Sequence, residues 1–130
     1  MNITYEPKKI IVTIDDVDYE VAERTVATDK LLQEHNEKIG TMTNFEANYD
    51  LVKILLGAEA AKKIFPNGDK ENVTRSYVIA RGVDDAYQAE YQEIRDKEMD
   101  ETLAKLDGFS SRARPVIEMI DRTTTRKSKR

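Results

Sequence analysis

No cysteine occurs anywhere in the sequence. Disulfides, thiolate metal sites and cysteine nucleophiles are therefore excluded, and the composition fits a reducing compartment. Histidine is almost as scarce, with His35 standing alone. A zinc site built on it would need carboxylates for three of the usual four ligands, which structural zinc sites do not use. The five glycines are scattered, and no pair of them forms a phosphate cradle after a strand. No apolar run approaches the roughly 18 residues that span a bilayer, so no membrane association is expected. The segment Met1 to Pro7 lacks a basic stretch followed by an apolar one, so no signal peptide is expected either.

What is present is charge. Of the 130 residues 35% are charged, against 39% apolar. That balance implies long helices with wide solvated faces rather than a thick globule. The length suits one domain, in which roughly two-thirds of the unfolded surface can be buried. The formal net charge of −4 gives the whole chain no pull towards nucleic acid or anionic lipid. Its distribution is uneven. Residues 122–130 hold five bases (Arg122, Arg126, Lys127, Lys129 and Arg130) and no acid. Setting those five positive charges aside leaves −9 over residues 1–121, an acidic body with a basic tail.

Residues 8–22 read as a β-hairpin. Ile10, Val12 and Ile14 alternate with Ile11 and Thr13 at the strand period. Asp15-Asp16 supplies a tight turn, because aspartate tolerates left-handed backbone. Val17, Tyr19 and Val21 then alternate with Asp18 and Glu20, giving one apolar and one acidic face. A lone two-stranded hairpin is marginal in water, so it must lie on a helix or pair with another chain. A short helix is expected over 29–39, with Thr28 or Asp29 as its cap and Leu31, Leu32, His35 and Ile39 on one side. Thr43 and Glu46 form a capping box for a second helix, whose stripe is Phe45, Tyr49, Val52, Leu55 and Leu56 and whose stop is Gly57. Glu59 to Phe65 is a further short helix, stopped by Pro66-Asn67-Gly68. A long helical segment follows from Asn72 to Leu106, with Val73, Tyr77, Ala80, Val83, Tyr87, Tyr91 and Ile94 spaced by three or four. Gly82 interrupts its propensity, and Asp107-Gly108 is expected to break it. Pro115 to Ile120 suits one more turn or two, and the tail, 122–130, is expected to be disordered.

Chemistry is hard to find in this chain. His35 lies on the apolar side of a helix with no nucleophile to serve, which favours a packed structural role. Asp15, Asp16, Asp18 and Glu20 lack the sixth-position glycine and twelfth-position glutamate of a calcium loop. Glu90 with Glu93, and Asp96 with Asp100, are carboxylates on one helix side. A bridged di-metal site also needs Glu-x-x-His motifs, which are absent. These acids read as a wet helix face. The basic tail can contact phosphate, but it has no interleaved aromatics for base stacking. It can equally dock on an acidic protein surface, including that of a neighbouring copy. Tyr77, Tyr87 and Tyr91 suit half-buried contacts, each joining a large ring to a polar tip.

The run Leu51-Val52-Lys53-Ile54-Leu55-Leu56-Gly57-Ala58-Glu59-Ala60-Ala61-Lys62-Lys63-Ile64-Phe65-Pro66-Asn67-Gly68 resembles the tail assembly chaperones of long-tailed bacteriophages, especially those of Gram-positive hosts. The likeness is a helix ending in Leu-Leu-Gly, an amphipathic turn, then Phe-Pro. It extends as an order of elements over residues 8–106, with a short β segment before and a long helix after. It implies a mostly helical protein that is not an enzyme and has no cofactor. It also implies that the chain holds the tape-measure protein, contacts the tail-tube subunit and self-associates. The expected place is the cytoplasm of the host bacterium, with the protein absent from the mature virion. The family supplies no catalytic residues to carry over.

The expectation is thus a mainly α chain: an N-terminal β-hairpin, a small helical domain and one long C-terminal helical segment, in a single domain over 1–121. Protein contacts are expected at Tyr77, Tyr87, Tyr91 and Ile94, and electrostatic contacts at Arg126, Lys127, Lys129 and Arg130. The alternative function is a small nucleic-acid-binding regulator that uses the basic tail.

Overall fold

The structure, a computed structural model, describes residues 1–109. The expected turn at Pro115–Ile120 and the tail residues Arg126, Lys127, Lys129 and Arg130 lie outside the described residues. By packing, the chain divides into two units, Met1–Glu90 and Tyr91–Arg130. The described residues are mainly helical: among them a two-stranded antiparallel hairpin is followed by four α-helices, of which α4 is the longest.

Strands β1 (Ile11–Ile14) and β2 (Val17–Glu20) pair with Val12 opposite Tyr19 and Ile14 opposite Val17. Asp15 and Asp16 both take positive φ, 49° and 67°, as a tight two-residue hairpin turn demands. One face carries Val12, Ile14 and Tyr19 inward. On the other, Thr13 Oγ1 donates to Asp18 Oδ1 at 2.6 Å. Past the strands, Val21 N–H donates to the Ile10 carbonyl, and Ala22 N–H donates to the carbonyl of Leu55.

Helix α1 (Val26–Lys38) begins three residues before the expected start. Its cap is Thr25, whose Oγ1 accepts from Thr28 N–H at 3.2 Å. Val26 is 88% exposed, so the first turn shows no apolar period by which a sequence reading could place it. A short 3-10 turn over Ile39–Thr41 follows. Helix α2 (Asn44–Leu56) carries the expected capping box: Glu46 N–H donates to Thr43 Oγ1 at 3.1 Å, and Thr43 N–H to Glu46 Oε1 at 3.4 Å. Gly57, at φ 98°, ends α2 and starts α3 (Ala58–Ile64) without an intervening residue.

Helix α4 (Val73–Phe109) starts with Asn72 Oδ1 accepting from Arg75 N–H. It runs through Gly82, and it includes Asp107 and Gly108, where the sequence predicts a break. Those two residues are poor helix formers by roughly 0.5–1 kcal/mol each, too little to stop a helix that already has many turns to extend.

The core of the first unit has two clusters. Val52, Ala61, Ile64, Phe65 and Ala80 make one, with Phe45, Tyr49 and Phe65 in mutual ring contact at centroid distances of 5.7–6.0 Å. Val21, Leu55, Val83 and Tyr87 make the other. Ile14, Leu51, Leu56 and Ile79 touch both. Leu55 is fully buried. Leu55→Ala is expected to cost about 2–5 kcal/mol by the cavity it leaves. Thr43→Ala, which removes only the cap, should cost about 1 kcal/mol. Urea unfolding of both variants measures the difference, and a larger loss from the cap than from the core would contradict this packing.

Candidate protein-interaction surface

The stripe on α4 does not stay on one face. With about 100° per residue, the buried side is centred on Ser76, Ala80, Val83 and Tyr87, each 2% exposed or less. Tyr77 lies a quarter-turn off that centre and is 57% exposed. Val73, one turn before it, is also exposed, as is Val78. Tyr91 and Ile94 belong to the second unit and are both exposed, with the Arg95 guanidinium 5.8 Å from the Tyr91 ring centroid. Three of the four expected contact residues therefore face solvent. Tyr87 does not, and its side chain belongs to the core.

Tyr87 is held by a polar network at its tip. Its hydroxyl donates to Asp29 Oδ1 at 2.9 Å, and Asp29 Oδ2 lies 3.4 Å from Arg24 Nε. The Arg24 guanidinium sits over the Tyr87 ring at 5.3 Å, and its Nη1 donates to Gln88 Oε1 at 2.7 Å. This network fastens the start of α1 to α4. Burial, and then the bond to Asp29, push the Tyr87 hydroxyl well above the usual tyrosine range.

His35 takes the packed role that its position suggests. It is 5% exposed, and its Nδ1 lies 2.7 Å from Asp50 Oδ2, joining α1 to α2. Among the described residues no group of three histidine, aspartate or glutamate side chains is arranged to hold a metal ion. No described helix is long and apolar enough to cross a membrane.

Two features went unread in the sequence. Ser76 is fully buried, donating to the Val73 carbonyl at 2.6 Å and accepting from Asn48 Nδ2 at 3.0 Å. Its spacing from Ala80 and Val83 was the available signal. The second is a groove between β1 and the first turns of α4, with a volume of ≈ 880 Å³. Its hairpin wall is β1, through Val12, Thr13 and Ile14, with Asp15 of the turn. Its helical wall includes Thr74, Val78, Ile79 and Gly82, and its surface is mostly apolar. Arg75 closes one end, with its Nη2 donating to Asp15 Oδ2 at 2.5 Å and its Nη1 to the Ile64 carbonyl at 3.1 Å. Nothing lies within 4 Å of where a Gly82 side chain would begin, so no packing inside the chain requires a glycine there.

No family model, curated protein or solved structure matches the chain.

Tyr87→Phe should cost about 1 kcal/mol at neutral pH, because it leaves an Asp29 oxygen without its donor. The pH dependence has a fixed sign. Above the ordinary tyrosine value of 10.0 the unfolded chain releases a proton that the folded chain retains, so stability falls as pH rises past that point. Below it this group contributes no slope. Urea unfolding of both proteins from pH 7 to above 10 should show the variant losing part of the alkaline decline, and identical slopes would contradict the assignment.

Proposed function

We propose that this chain is a non-enzymatic tail assembly chaperone that binds a long helical tape-measure protein and the tail-tube subunit in the cytoplasm of the host bacterium. The observation that carries the reading is the exposed apolar pair Val73 and Tyr77 on α4 in the first unit; in the second unit Tyr91 and Ile94 are a further exposed pair at helical spacing. An amphipathic client is held by side chains spaced at three and four along a helix. Scattered exposed apolar residues are ordinary, and it is the pairs at helical spacing that can serve a contact. The order of hairpin, short helices, Phe65-Pro66 turn and long helix is the order of elements on which the resemblance rests. A tape-measure protein is apolar along its faces and aggregates when free, so the charged remainder of this chain would keep the complex in solution.

The test is co-expression with the tape-measure protein of the same genome. The client should be insoluble alone and soluble with this chain. Tyr77→Asp combined with Tyr91→Asp, at positions open to water, should return the client to the pellet while the chaperone stays folded. Deleting residues 122–130 should leave client binding largely intact. If that deletion instead abolishes a DNA interaction, and the client stays insoluble throughout, the nucleic-acid reading replaces this one.

A further inference from the structure

Among the described residues the outer edge of β1 has no partner. Val21 N–H bonds to the Ile10 carbonyl, which fixes the phase of the ladder. Ile10, Val12 and Ile14 turn their backbone groups towards β2, so Ile11 and Thr13 turn theirs outward. No other described element bonds to the backbone of Ile11 or Thr13. The groove runs along this edge, with Val78, Ile79 and Gly82 of α4 forming its other wall.

The sequence of the edge is self-complementary when reversed. It begins Lys8-Lys9 and ends Asp15-Asp16, with Ile10-Ile11-Val12-Thr13-Ile14 between. Antiparallel pairing of this segment with a second copy, centred on Val12, brings the Lys8-Lys9 end of each strand beside the other's Asp15-Asp16 turn, which itself leaves the ladder at positive φ. It also sets Ile10 opposite Ile14 and Ile11 opposite Thr13. The outward-turned residues Ile11 and Thr13 then face each other as a hydrogen-bonded pair, as the ladder requires. Shifting the register by two residues places Lys8 opposite Ile14 in one direction and sets Ile10 and Ile11 against the turn in the other, so both separate the lysines from the acids. Neither lysine has a hydrogen-bond or ion-pair partner among the described residues, nor does Asp16. Asp15 uses Oδ2 for Arg75, and its side chain is 73% exposed.

The opposite edge behaves differently. β2 turns Asp18 and Glu20 outward, and the same self-pairing there would place acid against acid, a common device for blocking an edge. Gly82 adds an independent observation. A helix-interior glycine costs about 0.5–1 kcal/mol relative to alanine. Here no internal packing requires it, but a bare helix surface lets another backbone approach the groove closely.

We propose that β1 is a self-pairing edge: two copies of the chain join β1 to β1 antiparallel about a two-fold axis at Val12, each partner strand lying in the other's groove over Gly82. The result is one continuous sheet in the order β2, β1, β1, β2. This contact is isologous, so it closes at the dimer and leaves only the acidic β2 edges exposed. It does not depend on the chaperone reading, because it needs no client.

The experiment is light scattering and sedimentation of the full chain alone, over a range of concentrations. The wild-type chain should be a dimer. Gly82→Leu should fold at least as stably by thermal unfolding, because the position is open, yet weaken dimerisation by about tenfold or more. Lys8→Glu should weaken it by a similar factor, because the reversed charge meets the acidic turn twice in a two-fold contact. Lys8→Glu with Asp16→Asn, which also accepts positive φ, should recover part of the affinity. A chain that stays monomeric at its highest soluble concentration would overturn the proposal. So would a dimer indifferent to Gly82→Leu and to the charge reversal, which would place its contact on another surface.

Discussion

Everything in the first unit depends on burying one side of α2. Val52 and Leu55 are three residues apart on that side, both fully buried, and each belongs to a different core cluster. Through Val52 the helix gathers α3, the Phe65 ring and Ala80. Through Leu55 it gathers the end of the hairpin, Val83 and Tyr87. A chain with so much charge has few apolar residues to spend. Placing two of the best-buried ones on adjacent turns of a central helix lets a thin core serve elements on both sides. The hairpin illustrates the dependence: alone it would be marginal, and it persists because Ile14 and Val21 are packed into these clusters and Ala22 is bonded to α2 itself.

The features legible in the sequence are those governed by local chemistry. The Asp15-Asp16 turn, the Thr43–Glu46 capping box, the Gly57 stop and the Pro66 turn each follow from what a few neighbouring atoms can do. The start of α1 is not legible because Thr25 and Thr28 are both suited to the cap and the first turn points Val26 into water. The expected break at Asp107-Gly108 failed for the opposite reason. Propensity is a weak local term, and extending an existing helix costs little.

The contact surface was less legible than the fold. Spacing by three and four joined Val73, Tyr77, Ala80, Val83, Tyr87, Tyr91 and Ile94 into one stripe. Yet such spacing tolerates a drift of tens of degrees per step, enough to carry Tyr77 into solvent while Tyr87 stays in the core. Which tyrosine is buried depends on where Val21 and Leu55 fall, and these are far away along the chain. The groove is formed by residues more than fifty positions apart, Val12 to Asp15 and Thr74 to Gly82, so no local pattern could have announced it.

Gly57 carries a consequence for the order in which the chain folds. Its N–H bonds back to Lys53 and its carbonyl receives Ala61, so a single residue closes one helix and opens the next. A helix of seven residues does not persist by itself in water. α3 therefore forms only against an existing α2. The two make one cooperative step, closed by contacts that are short in sequence and quick to find. α4 starts only nine residues after α3 ends, so of the elements packed on this pair the hairpin is the one that must close the longer loop.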